Sequence, residues 1–135
     1  MAYTRDLADA ARRHREAADC LYDCAPPCRR RDVAGYLYGL AAECAFKQIL
    51  HLSTDWREVD RDDSAFYAHF PDLKSLARDH LNGRHASVLR RFVCDAFMNE
   101  WHVTMRYGSR RAVPDRLVER WREQATNIIA AMEDC

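Results

Sequence analysis

The stretch DVAGYLYGLAAECAFKQILHL, residues 32–52, most constrains what this chain can fold into. At 3.6 residues per turn, Val33, Leu37, Leu40 and Cys44 form one apolar stripe. Tyr36, Gly39, Phe46 and Leu50 lie nearer a second. A helix that is apolar on more than one face has no side to give to water, so other helices must surround it. Gly39, lacking a side chain, suits a close approach by a neighbour. Asp32 is placed to cap the first turn. The spacing predicts a central helix over residues 32–52.

The flanking segments supply the surround. Leu7, Ala11, His14, Ala18 and Leu21 fall on one face of a helix over residues 4–22, with Thr4 as its cap. The paired prolines of APPCRRRD stop it. Residues 53–64 read as an acidic loop, and AFYAHF as a short helical turn. Pro71 and Asp72 suit the first turn of a short helix that turns Leu73, Leu76 and Ala77 inward and ends at Asn82-Gly83. Leu89, Val93, Ala96 or Phe97, and Trp101 predict a long fourth helix over residues 84–107, closed by Gly108. Pro114 begins a fifth, with Leu117, Trp121, Ala125, Ile128 and Met132 on one face. Glycine and proline number only four each, and no alternating Val/Ile/Thr run suggests sheet. The expected fold is all-α, a four- to five-helix up-and-down bundle, as one domain over residues 1–135.

Bulk properties restrict function. The formal net charge is zero, which argues against a broad nonspecific grip on duplex nucleic acid and leaves RNA or a nucleotide open. Only Lys47 and Lys74 are lysines among 21 basic residues, a bias that coding in a GC-rich genome also produces. No apolar run of 18 residues is present, so no membrane span is expected. No apolar leader opens the chain, which predicts a cytoplasmic protein. Cys20, Cys24 and Cys28 recur every fourth residue. Zinc knuckles use Cys-x2-Cys pairs, so these thiols read as packing and loop residues, and neither metal nor cofactor is expected.

Glu43 and Lys47 stand four apart in the favourable order on the apolar helix. A carboxylate in such surroundings needs a partner, either to fix helix register or to hold a ligand. Arg91, Asp95, Asn99, His102 and Arg106 recur at helical spacing in the fourth segment. They read as a solvated outer face, or as a groove that sets histidine and arginine together for phosphate chemistry.

Three stretches together resemble the HEPN superfamily of small helical bundles: YLYGLAAECAFKQIL (36–50), HFPDLKSLA (69–77) and WHVTMRYG (101–108). The carrying features are Gly39, Glu43 and Lys47 at four-residue intervals, the His69-x-Pro71-x-Leu73 run, and the Arg106-Tyr107 pair. The resemblance spans about residues 7–132. It implies a four- to five-helix bundle that dimerises. It also implies one of three roles: metal-independent ribonuclease, toxin partnered by a nucleotidyltransferase, or domain that binds nucleotides or proteins without cutting. The cleaving members resemble one another in an arginine, a polar residue, then a histidine with four to six positions between it and the arginine, at the end of the long helix after the central one.

Here no histidine follows Arg106. The expectation is therefore a HEPN-like homodimeric binding or regulatory module for a nucleotide, RNA or partner protein. Its ligand residues would be Arg106, Tyr107, His102, Asn99, Glu43 and Lys47, and Glu43 would pair with Arg106. The alternative is a metal-independent endoribonuclease using His102 with Arg106. RDHLNGRH (78–85) has the ribonuclease spacing one helix too early, which makes Arg78 with His85 the other candidate pair.

Overall fold

A computed structural model describes residues 3–52, 64–79 and 85–135, the side chains of 64 and 65 excepted. All regular structure among them is helical. In chain order the elements are α1 (Leu7–Asp23), α2 (Arg31–His51), α3 (Ser64–Tyr67), α4 (Asp72–Arg78), α5 (Ala86–Leu89) and α6 (Asp115–Glu133). Turns of 3-10 helix occur at Arg90–Phe92 and Val103–Tyr107. The acidic stretch 53–63 and the Asn82-Gly83 turn lie outside the described residues.

α2 is the axis of the fold. It buries Ala34, Tyr38, Ala41, Ala42, Ala45, Phe46, Ile49 and Leu50 over about half of its circumference, while on the stripe of Val33, Leu37, Leu40 and Cys44 the first is exposed and the others half-buried. α1 and α6 each carry a single apolar stripe and pack against it. α1 runs antiparallel to both neighbours. Arg12 near its start pairs with Glu133 at the end of α6, Nη2 to Oε2 3.0 Å. Near its other end Arg122 reaches Asp23 (3.1 Å) and Asp19 (3.4 Å), while the Tyr38 hydroxyl donates to Asp19. α2 and α6 run side by side, with Gly35 against Val118 and Trp121. Asp6, not Thr4, caps α1, accepting from the Asp9 amide at 3.0 Å. α2 starts at Arg31, and Asp32 lies in its first turn, where its charge meets the positive helix end.

The largest departure from expectation is the fourth helix. Residues 84–107 do not form one long helix. After α5 and one 3-10 turn the chain leaves helical geometry at Val93, and Met98 (φ 53°) and Glu100 (φ 67°) adopt left-handed backbone. The apolar spacing that suggested a helix is real in one sense: Leu89, Phe97 and Trp101 are all buried. They reach the core from an irregular segment that occupies the return leg of the bundle. Trp101 lies so close to α2 that a Cβ on Gly39 would sit 1.8 Å from the indole. The neighbour that Gly39 admits is therefore a side chain, and Trp101 Nε1 donates to the Gly35 carbonyl at 3.2 Å.

Candidate ligand cleft at a clamped loop

A chain that leaves helical geometry must find other donors for its carbonyls. Loop 93–102 finds them on side chains. Lys74 of α4 is 4% exposed. Its ammonium donates to Cys94 O (3.0 Å), Phe97 O (2.8 Å) and, more loosely, Asp95 O (3.5 Å). One turn on, Arg78 Nε donates to Val93 O at 2.9 Å and Nη2 reaches Asp95 Oδ1 at 3.1 Å. From α6, Gln124 donates to Ala96 O (2.9 Å) and accepts from the Met98 amide (2.9 Å). Trp121 Nε1 donates to Asn99 O at 3.0 Å. Carbonyls 93–97 and 99 thus all accept from α4 or α6. Left-handed backbone at non-glycine residues costs on the order of 1 kcal/mol or more each, and this set of donors is what holds it. Burial, and then the nearby Arg78 charge, pulls the Lys74 pKa below its ordinary value.

The loop and α4 enclose a cleft of about 410 Å³ over buried Trp101, edged by Ser75, Arg78, Asp95, Asn99, Glu100 and His102. Glu100 and His102 are exposed on either side of buried Trp101, His102 in extended backbone and Glu100 in left-handed backbone. The His102 ring is fixed by its own backbone. Its Nδ1 accepts from the Thr104 amide at 3.1 Å and lies 2.7 Å from the Thr104 hydroxyl. A backbone N–H can only donate, so in the neutral ring the proton sits on Nε2. The free nitrogen of His102 is a donor.

Glu43 is 2% exposed, and its partner is His69 rather than Arg106. Oε1 lies 2.8 Å from His69 Nδ1, and Oε2 accepts from the Phe70 amide at 2.7 Å. Burial pushes the Glu43 carboxyl above its ordinary value, against the pull of His69, Lys47 and the Phe70 amide. Lys47, 7% exposed, sets its ammonium 5.5 Å from the Phe66 ring. The Glu43–His69 pair ties α2 to the turn that begins α4. Arg106 instead lies beside Tyr36 and over the Tyr107 ring (4.9 Å), and the two tyrosines raise its pKa.

Arg106 edges a separate cleft of about 180 Å³ with Asp32, Val33, Tyr36, Met105 and Val113. Tyr107 beside it is 78% exposed. His102 and Arg106 therefore face different clefts. So do Arg78 and His85, the latter lying with Arg91 and Cys135 in a third. Neither candidate catalytic pair is brought together in one cleft, while Arg78 and His102, one from each, share the central one. Among the described residues no group of three or more His, Cys, Asp or Glu side chains is arranged to hold a metal.

No family model, curated protein or solved structure matches this chain.

Three participants were not legible as site residues in the sequence. Glu100 lay on what read as a helix and carried no spacing signal. Gln124 and Trp121 serve the loop from a helix whose stripe accounts for Trp121 as core alone. One signal did exist for Lys74. In a chain otherwise using arginine, both lysines are buried. A compact ammonium fits among backbone carbonyls where a planar guanidinium does not.

Proposed function

We propose that this chain is a non-catalytic helical binding module, HEPN-like in its sequence, that takes a nucleotide or single-stranded RNA into the cleft beneath loop 93–102. The observation that carries this reading is the His102 ring. With Nδ1 engaged by Thr104, its outward nitrogen offers a proton and has no lone pair with which to take one. A general base needs that lone pair, whereas recognition needs only a fixed donor. Arg78 supports the same reading, because its Nε and Nη2 hold the loop rather than standing free for a phosphoryl group. A pre-formed loop on a rigid scaffold is the usual setting of a binding site. The neutral chain supports reading a base more than gripping a backbone.

The test is purified protein with fluorescent single-stranded and structured RNA in EDTA. Binding without cleavage is expected. Cleavage that disappears in both His102→Ala and Arg106→Ala overturns the reading in favour of the endoribonuclease.

A second copy of the chain is the partner favoured by the smaller cleft. Tyr107 is an exposed aromatic knob beside a hollow whose apolar side is Val33, Met105 and Val113 and whose rim carries Asp32 and Arg106. A knob next to a hollow on one surface is self-complementary under two-fold symmetry.

A further inference from the structure

We infer that the cleft under loop 93–102 recognises a guanine base, with Glu100 and His102 reading its Watson–Crick edge; the inference rests on the binding-module reading above. The polar side chains at the cleft that the loop bonds leave over are Ser75, Asn99, Glu100 and His102, and of these Glu100 and His102 are the ionisable pair. Lys74 and much of Arg78 are committed to loop carbonyls. Glu100 makes no hydrogen bond or ion pair among the described residues, and its ionised carboxylate is an acceptor only. His102 offers Nε2–H, as its bond from the Thr104 amide requires. The two side chains flank Trp101 in the sequence and edge the same cleft. Glu100 and His102 therefore offer two acceptor oxygens and one donor to the same cleft, where the Ser75 hydroxyl and the Asn99 amide can each donate or accept.

That pattern has few complements. Guanine offers adjacent N1–H and N2–H donors for a bidentate carboxylate and the O6 acceptor next to them for His102. Adenine offers one amino donor beside one acceptor, and uracil and cytosine offer at most one donor in position. A phosphate offers no donor, and Asp95 and Glu100 repel it. An amine or guanidinium would satisfy Glu100 and leave the His102 proton without an acceptor. The volume, about 410 Å³, lies in the range of small-molecule sites. The backbone that aims Glu100 is left-handed at φ 67° and is held by Gln124, Trp121 and Lys74. The reading edge is thus built before any ligand arrives.

The experiment titrates the full chain with the 5′-monophosphates of guanosine, inosine, adenosine, cytidine and uridine by calorimetry, and with RNA hexamers that have or lack one central guanine. Guanosine monophosphate is expected to bind roughly tenfold or more tighter than the adenosine, cytidine and uridine compounds. Inosine monophosphate, which lacks the N2 amino group, should fall between. In Glu100→Gln the guanosine-over-inosine difference should vanish while circular dichroism and melting stay unchanged. His102→Asn, which keeps a side-chain acceptor for the Thr104 amide, should weaken guanosine and inosine alike. Preference in the free nucleotide alone makes a small molecule the source of the base, and preference in the hexamer makes it RNA; either supports the inference. Equal binding of all five nucleotides overturns the guanine assignment and leaves the binding module standing. No binding of any probe overturns both.

Discussion

The ammonium of Lys74 lies 2.8 Å from the carbonyl oxygen of Phe97 and 3.0 Å from that of Cys94, on a residue only 4% exposed. A seven-residue helix thereby holds a loop about twenty positions further along the chain. The cleft exists because of this bond set, and several expectations follow from it and from its counterparts.

Lys74→Met removes the charge, keeps the stem and leaves the buried Phe97 carbonyl without its donor, while the Cys94 carbonyl keeps the Phe97 amide at 3.1 Å. A buried group left unpaired costs about 1–3 kcal/mol, so the variant should be destabilised by about that much. Lys74→Arg should not restore it, since a planar fork cannot converge on those oxygens. Urea denaturation measures both. A Lys74→Met variant as stable as the parent would show that the loop holds itself.

Glu43 gives a pH signature. Its carboxyl pKa is raised above 4.5 by burial, so within that window the folded chain binds more protons than the unfolded one. Stability from this group is full below the ordinary value and declines as pH rises through the raised one. Glu43→Gln should remove that decline at little cost, because an amide oxygen still accepts from the Phe70 amide. Glu43→Leu leaves that buried N–H without an acceptor and should cost about 2 kcal/mol. Denaturation midpoints between pH 4 and 7 test the slope. A steeper decline in Glu43→Gln than in the parent would contradict the sign.

Gly39 and Gly35 should respond differently to alanine. A Cβ at 39 meets the Trp101 indole at 1.8 Å, while one at 35 meets Val118 and Trp121 at 3.1 and 3.2 Å. Gly39→Ala must displace a buried indole and should lose about 1–3 kcal/mol net. Gly35→Ala gains up to about 1 kcal/mol of helix propensity against a mild squeeze and should be near neutral. Melting temperatures of the two variants decide it, and equal losses would count against so close a Trp101.

Tyr107 should govern assembly. Tyr107→Asp places a charge on the exposed knob and is expected to turn a dimer into a monomer without lowering the melting temperature measured at low concentration. Light scattering reads the mass. A parent chain monomeric at millimolar concentration would remove the second-copy proposal.

The helical class, the central position of residues 32–52 and the need for space at Gly39 were legible in the sequence. Each is a local matter of spacing, and helical periodicity is a local signal. Glu43 also announced its need for a partner, since a carboxylate amid apolar neighbours cannot stand alone. Which partner it takes was not legible. His69 is 26 positions away, and nothing in the spacing ranks it above Arg106. Residues 93–102 were harder still. Leu89, Phe97 and Trp101 have a helix's period and are buried as a helix would bury them. The chain abandons the helix because Lys74, Arg78, Gln124 and Trp121 offer its carbonyls donors from 15 to 28 residues away. A local pattern states which residues seek the core. Only the packed structure states which distant groups stand ready to replace a helix's own hydrogen bonds, and here that replacement shapes the cleft.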